Sequence, residues 1–314
     1  MRVANDTEQQ FEQLVQAVSL EKKTDAEWWA EQYEIERAAA LAIKSAEPFS
    51  ETRDRITQKA YETVDKLICA HNCQNNVTTI AYGASTYCID LIEQLLQYLQ
   101  KKKRHIRFFE AGVGGGYILS ALRHYPNVSI NGCDVYLDRK LLGDLADCCI
   151  EAPLCKALLQ LEDGSIDLFY WNDVMEHLPE DEIDATLKLI ADKLSPDGLF
   201  VTITPCRGMG PHDITRLAAP AETEARGLHL REYCYYEVLE KNKKAGLTPK
   251  IYAERYGKTC RLEYAQGAQH CWAHATAEKY SFLFCKNIPV IANRSIRRRV
   301  MRRFGTVSIV ITGK

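Results

Sequence analysis

Apolar positions in the first hundred residues recur with the three- to four-residue spacing of amphipathic helices. One helix begins near Thr24 or Asp25, since either side chain can cap it, and it carries two adjacent tryptophans. Few strand signals occur in this part of the chain. We therefore predict a helical cap subdomain over residues 1–100. Three further stretches share the helical spacing: 11–18, 51–68 and 86–99.

The pattern changes after residue 105, where short apolar runs alternate with helical patterns. Alternation of strands and helices predicts an α/β domain with a largely parallel sheet. We assign this domain to residues 101–314, with an insertion over 261–305 before the last strand and a third strand that is poorly marked. The clearly marked strands are 106–113, 128–135, 166–171, 199–204, 250–256 and 306–312, and the helices between them include 180–194 and 232–244.

Composition excludes several classes of protein. The 314 residues include 40 Lys and Arg against 42 Asp and Glu, a net charge of −2, and a general nucleic-acid binder usually has a basic excess. No apolar run approaches the roughly 18 residues of a transmembrane helix, and the N-terminal sequence lacks the apolar stretch of a secretory signal. Twelve cysteines in so long a chain indicate free thiols in a reducing compartment, so we expect a cytoplasmic protein without nucleic-acid partners.

The strongest chemical motif follows the first predicted strand, where Glu110 precedes glycines at 112, 114 and 116 and a helix begins. A tight strand-to-helix turn needs residues without Cβ if the backbone is to approach a ligand at the helix N-terminus. A tight turn without a ligand is the alternative. The spacing does not fit the dinucleotide pattern G-x-G-x-x-G/A, because a tyrosine or a leucine occupies its last position.

The form acidic-x-G-x-G-x-G resembles the first motif of class I S-adenosylmethionine-dependent methyltransferases. Asp134 ends the next strand, 134 − 110 = 24 residues after Glu110, where an acid can accept hydrogen bonds from ribose hydroxyls. The sequence DLFYWNDVMEHLP at 167–179 resembles the family's fourth-strand signature. The turn at 195–199 resembles its fifth-strand turn, with Asp197 in place of a glycine. The resemblance covers roughly residues 105–314.

This resemblance implies a Rossmann-like, seven-stranded sheet that binds S-adenosylmethionine and releases S-adenosylhomocysteine. It also implies a role for each matching residue. The glycine turn would hold the methionine and ribose parts, Asp134 the ribose, and Val135 or Tyr136 the adenine. Asp147 would cap the adenine amino group, or it is an exposed loop residue. The implied cofactor residues are Glu110, Gly112, Gly114, Gly116, Asp134, Val135, Asp147, Asn172 and Asp173.

Candidate catalytic residues lie after the fifth strand, at the edge of the sheet where ligands bind in such folds. His212 lies in a glycine-rich loop and His229 begins an H-x-R-x-Y sequence that borders the substrate pocket in the family. Either histidine can serve as a general base, or it anchors its loop. The predicted acceptor contacts are Tyr82, His177 and Tyr233. His177 has an alternative role, in which it packs at a helix start and orients the loop that follows the fourth strand.

Two further features have simpler interpretations. The cysteine and histidine clusters at 69–73 and 270–274 lack the paired spacing of zinc sites, so no metal is expected. Six arginines lie between 294 and 303, in a predicted amphipathic helix with Ile296, Val300 and Phe304 on one apolar face and a solvated basic face. A patch for an anionic substrate, a lipid headgroup or nucleic acid is the alternative.

We therefore predict an S-adenosylmethionine-dependent methyltransferase with a small-molecule acceptor, of the natural-product or secondary-metabolite kind. The sulfonium donor needs no activation, so in-line alignment of the nucleophile can provide most of the acceleration, with a histidine base for oxygen nucleophiles. Two alternatives remain. One is a peptide or protein methyltransferase whose N-terminal helices dock a polypeptide, and the other is a non-catalytic cofactor-binding protein. The acceptor atom and the oligomeric state do not follow from the sequence.

Overall fold

A computed structural model describes residues 2–75, 88–256, 259–287 and 294–314 of the chain. These residues divide into two compact units. The helical unit contains the N-terminal helices together with 176–182 and 210–232, and the sheet unit contains the remainder. No helix among the described residues is long and apolar enough to cross a membrane.

The described part of the chain forms twelve α-helices and eight strands, with three short 3-10 turns between them. The helices are α1 (Arg2–Gln16), α2 (Asp25–Ser45), α3 (Glu51–Gln74), α4 (Ile89–Gln100), α5 (Tyr117–Leu122), α6 (Arg139–Leu142), α7 (Leu154–Leu159), α8 (Glu180–Lys193), α9 (Thr215–Ala218), α10 (Tyr235–Lys244), α11 (Gly267–Asn287) and α12 (Arg294–Met301). The strands are β1 (Ile106–Ala111), β2 (Val128–Asp134), β3 (Cys149–Glu151), β4 (Ile166–Asn172), β5 (Leu194–Pro205), β6 (Thr248–Tyr256), β7 (Thr259–Glu263) and β8 (Val307–Gly313).

The helical unit is built on α1, α2 and α3. Thr24 caps α2 through a capping box: its hydroxyl accepts from the Glu27 N–H, and the Glu27 carboxylate accepts from the Thr24 N–H at 2.8 Å. Of the two predicted caps, the structure therefore selects Thr24. The three helices bury their apolar faces together with two leucines of the 210–232 segment. This core contains Phe11, Trp28, Ile35, Ile43, Ile56, Val64, Leu67, Leu228 and Leu230.

The sheet unit contains one eight-stranded sheet of order β3-β2-β1-β4-β5-β8-β6-β7. The first five strands in this order are parallel, and β8 runs antiparallel to both β5 and β6. The α/β, Rossmann-like class is confirmed, but the sheet has eight strands rather than seven. The additional strand, β7, pairs with β6 and overlaps the start of the predicted 261–305 insertion.

The boundary predicted at residue 100 differs from the division in the structure, because α4 belongs to the sheet unit. Its apolar face, which includes Leu91 and Leu95, shares one core with Ile106 and Phe108 of β1. An amphipathic pattern shows that a helix buries one face, but it does not specify the partner.

The orientation of α12 also differs from the prediction. Arg297 is only 5% exposed and Met301 is fully buried, whereas Ile296 is 38% exposed. The Met301 side chain lies against Gly208, where an added Cβ would be 2.6 Å from the Met301 Cε. The buried line of this helix therefore runs through positions 297 and 301 rather than through the predicted apolar positions.

Candidate functional site

The turn between β1 and α5 requires its glycines. Gly112, Gly114 and Gly116 all have positive φ, at 73°, 46° and 70°, which residues with a side chain rarely adopt. A Cβ on Gly112 would lie 2.5 Å from Cγ2 of Val174, and one on Gly116 would lie 2.6 Å from Cδ2 of Leu142. A side chain at either position would therefore strain the backbone and force a neighbouring side chain to move.

This turn lines a pocket in the sheet unit that is partly open to solvent. Asn172 joins it from the end of β4. Tyr117 and Tyr170 also line it and were not predicted. Their positions carried a signal, since Tyr117 is the first residue of the helix after the glycines and Tyr170 alternates with Asn172 on one face of β4. The complete lining is Glu110, Gly112, Val113, Gly114, Tyr117, Ile118, Tyr170 and Asn172.

Two carboxyl groups lie at this turn. Glu110 is buried, and its Oε2 has no hydrogen-bond partner among the described residues. Burial, and then the charge of Asp134, raise the pKa of Glu110 well above its usual value. The Asp134 Oδ2 accepts from the Gly114 N–H at 2.9 Å, and burial raises the pKa of Asp134 despite this bond. A buried acceptor without a partner fits a ligand that brings its own hydrogen-bond donors.

The remaining predicted cofactor residues lie outside the lining of this pocket. Val135 is half-buried after β2, and Asp147 is exposed on the 3-10 turn Gly143–Cys148, the second of its two predicted placements. Asp173 has φ of 54° and accepts from the Asn172 side-chain amide at 3.1 Å. The structure thus brings Glu110, Gly112, Gly114 and Asn172 together in one pocket lining. Gly116, Asp134, Val135, Asp147 and Asp173 are not part of that lining.

A second group of titratable side chains lies within the helical unit, on residues 210–232. The buried Glu232 carboxylate connects the two candidate histidines. Its Oε1 accepts from the His212 N–H at 2.6 Å and lies 2.9 Å from Nδ1 of His229, and its Oε2 lies 3.3 Å from Nδ1 of His212. A Cβ on Gly210 would lie 1.9 Å from that Oε2, so only glycine permits this approach. Glu232 was not predicted, and its spacing from His229 gave no helical signal, because residues 229–232 lie outside the helices.

His212 has the arrangement of an oriented base. A hydrogen bond from Nδ1 to the Glu232 carboxylate leaves the lone pair on Nε2, and this Nε2 is buried without a hydrogen-bond partner among the described residues. Asp213, its neighbour in sequence, points elsewhere, and its two oxygens accept from the N–H groups of Thr215 and Gly227. The carboxylate that orients His212 therefore comes from 20 residues farther along the chain.

His229 differs from His212 in charge. Burial by itself would lower its pKa, but the hydrogen bond to Glu232 and the negative charges of Glu176 and Asp213 outweigh burial and raise the pKa to about 9. The imidazole is then protonated at neutral pH and cannot accept another proton. This charge disfavours the predicted base role of His229 and makes it a hydrogen-bond donor to Glu232.

The three predicted acceptor contacts have different placements. Nδ1 of His177 lies 2.9 Å from the Leu228 carbonyl oxygen. Burial, and then the positive charge of His229, lower the His177 pKa to about 3. This neutral side chain contacts the 227–230 segment, a partner that neither of its two predicted roles specified. Tyr233 is fully buried in the sheet unit, where its carbonyl accepts from the Arg207 N–H, and Tyr82 lies outside the described residues.

The His229 pKa predicts a loss of stability at alkaline pH. The His229 pKa is about 9 in the folded state and about 6.5 in the unfolded state. The protonated imidazole therefore contributes to the free energy of unfolding, and this contribution is complete below pH 6.5 and is lost as pH rises to 9. The free energy of unfolding should fall by up to about 3 kcal/mol across that range. Urea unfolding at several pH values should show a smaller fall in His229→Gln. Parallel curves for the two proteins would contradict the assigned charge.

The cysteine and histidine clusters considered for zinc have other partners. Nε2 of His71 lies 2.8 Å from Asp25, and Nδ1 of His270 lies 2.6 Å from Glu263. Within the described residues, two other groups place potential ligand atoms within 4.8 Å of one another: Glu176, His177 and His229, and Cys206, Cys234 and Glu278. The first contains a protonated imidazole. In the second, a hydrogen bond with Cys206 and then burial raise the Cys234 pKa, so that thiol keeps its proton.

Comparison with known proteins identifies the domain. Residues 109–202 match a family model described as a methyltransferase domain. Residues 109–202 therefore resemble a methyltransferase domain, and S-adenosylmethionine is the cofactor that such a domain implies. The partnerless Glu110 oxygen and the glycine turn fit this ligand, which carries an ammonium group and ribose hydroxyls.

Solved structures with a similar fold include other methyltransferases. A SAM-dependent methyltransferase from Archaeoglobus fulgidus is 14% identical, with a TM-score of 0.45 over 73% of this chain and 95% of that chain. A putative sarcosine dimethylglycine methyltransferase from Galdieria sulphuraria is 14% identical, with a TM-score of 0.43 over 71% and 83%. A geranyl diphosphate C-methyltransferase from Streptomyces coelicolor is 13% identical, with a TM-score of 0.41 over 85% of each chain. No curated protein matches the sequence.

Proposed function

We propose that this methyltransferase methylates a small molecule on a hydroxyl oxygen, with His212 as the general base. The observation that carries the proposal is the buried Nε2 of His212, which has no hydrogen-bond partner among the described residues while Nδ1 faces Glu232. A hydroxyl nucleophile must lose its proton as the methyl group is transferred, and the lone pair of an imidazole nitrogen can accept that proton.

In this proposal the other residues bind and orient. The cofactor supplies a methyl group that is already activated on sulfur. Glu110 and Asp134 would accept hydrogen bonds from it, and the glycine turn would admit it close to the backbone. The protonated His229 would keep Glu232 charged, and the pKa of Glu232 is held at about 2 by its hydrogen bonds to His212 and His229 despite burial. A charged Glu232 stabilises the imidazolium that forms on His212.

Burial of the His212 Nε2 atom favours a small acceptor, because a folded polypeptide would need an open groove around the base. The test uses labelled S-adenosylmethionine with separate pools of small metabolites and of peptides, and the label should appear in the first pool. Label in the peptide pool would show that the acceptor is a peptide and not a small molecule. Cofactor binding without transfer to any pool would indicate a binding protein.

The cofactor site gives a separate prediction. Asp134→Ala should weaken binding of S-adenosylhomocysteine by about tenfold to a hundredfold, the cost of losing a hydrogen bond to a carboxylate. Calorimetry on the folded variant measures this directly. Asp147→Ala is the matched control, since Asp147 is exposed and lies outside the pocket lining, and its affinity should equal that of the wild type. Equal affinity in Asp134→Ala would remove Asp134 from the site.

A further inference from the structure

The last two turns of α11 present large apolar side chains to solvent. Tyr280 is 70% exposed, Phe284 55% and Leu283 38%. Their i, i+3, i+4 spacing places them on one face of the helix, whereas Phe282 and Cys285 are buried on the other side. Grouped exposed apolar residues of this size mark an interaction site more often than isolated ones do.

The segments that carry and follow this stripe are basic in sequence, although Lys279 pairs with Glu240 at 2.6 Å. Residues 279–287 and 294–305 contain two lysines and six arginines but no aspartate or glutamate. The other residues then carry 40 − 8 = 32 basic against 42 acidic side chains, a net charge of −10. The excess of basic residues is therefore concentrated in the last turns of α11, in α12 and in the turn that follows them.

The orientation of α12 exposes one further apolar side chain and one further arginine. With Arg297 and Met301 buried, Ile296 and Arg299 are exposed. The two helices pack against each other, and the Arg303 guanidinium donates to the Ser281 hydroxyl at 2.5 Å. Arg299 and Arg302 are exposed and form no ion pair within the described part of the chain. We call the basic-aromatic surface the group Tyr280, Leu283, Phe284, Ile296, Arg299 and Arg302.

We propose that the basic-aromatic surface docks on an anionic lipid bilayer. Aromatic and aliphatic side chains on a helix enter the boundary between headgroups and acyl chains, and nearby arginines pair with anionic headgroups. The surface combines both components with no acidic residue in these segments. The rest of the protein is negatively charged and is repelled by an anionic membrane. The basic segments should therefore face the membrane as the protein approaches.

Charge disfavours the two other occupants. A second copy meeting this surface face to face would bring the same arginines together. Nucleic acid would satisfy the arginines, but Leu283 and Ile296 have no counterpart on a phosphate backbone. The proposal concerns the surface of the sheet unit alone and does not depend on the acceptor or on methyl transfer.

The test is co-sedimentation of the full chain with vesicles of phosphatidylcholine alone or of phosphatidylcholine with phosphatidylserine. The wild type should bind the anionic vesicles strongly at low salt, and binding should weaken as salt rises. The double variant Arg299→Gln/Arg302→Gln should bind them about 30-fold more weakly. Tyr280→Ser/Phe284→Ser should lose at least about tenfold, because the apolar residues no longer enter the interface.

Matched controls change exposed residues elsewhere. Arg216→Gln/Arg261→Gln and Leu159→Ser/Leu217→Ser should bind as the wild type does. Circular dichroism shows whether each variant is folded, and all substituted positions are exposed. Equal binding to both kinds of vesicle, or equal losses in the control variants, would overturn the proposal. So would a dimer that the surface variants dissociate, or duplex DNA that binds the surface while vesicles do not.

Discussion

Replacing His212 by alanine should lower kcat by about 10²–10⁴-fold and leave the affinity for S-adenosylhomocysteine unchanged. The proposed base is lost, whereas the glycine turn and Asp134 belong to the other unit of the chain and keep their structure. Rates are measured with the acceptor found in the metabolite screen, and affinity is measured by calorimetry.

A conservative variant distinguishes the role of the base, His212, from that of Glu232, the carboxylate that orients it. Glu232→Gln keeps the shape but removes the charge that stabilises the imidazolium, so kcat should fall less than in His212→Ala and its pH profile should shift. His105→Ala, an exposed histidine of the sheet unit, is the control and should retain full activity. A fall of less than about fivefold in His212→Ala would show that His212 is not the base and that alignment of the acceptor with the methyl donor accounts for catalysis.

Gly112→Val should reduce cofactor affinity by about a hundredfold or more. Its φ of 73° is strained for valine, and the first added carbon would lie 2.5 Å from Val174. Relief of that contact must displace the turn or the residues after β4, and both line or adjoin the pocket. Calorimetry with S-adenosylhomocysteine gives the affinity, and thermal unfolding gives the accompanying loss of stability.

Gly246→Val is the control for Gly112→Val, because it introduces similar backbone strain at a position that is not part of the pocket lining. Gly246 follows α10 with φ of 88°, and an added Cβ there would meet no atom within 4 Å. This variant should lose stability from strain yet bind the cofactor as tightly as the wild type. If Gly112→Val binds equally well when folded, the turn does not form the cofactor site.

Local chemistry explains which predictions agree with the structure. The cap of α2 depends on Thr24 and Glu27, three residues apart, and the β1–α5 turn depends on glycines within five residues. Asp197 shows the same point, because it adopts φ of 62° where the family has a glycine, a conformation that aspartate tolerates better than most residues. Each of these features is decided by neighbours in sequence.

Contacts between distant residues decided the rest. The apolar face of α4 is evident in the sequence, but its packing with β1 rather than with the cap follows from the tertiary fold. In α12, contact between Met301 and Gly208 determines which side of the helix is buried, although these residues lie far apart in the chain.

The sequence by itself predicted the α/β class, the glycine turn and the resemblance to a methyltransferase domain, because periodicity and short motifs record interactions over a few residues. Only the tertiary structure decided how the candidate histidines differ. Glu232 orients His212 from 20 residues away, and Glu176, Glu232 and Asp213 together raise the pKa of His229. Charge and burial depend on distances through space, and a linear pattern does not contain those distances.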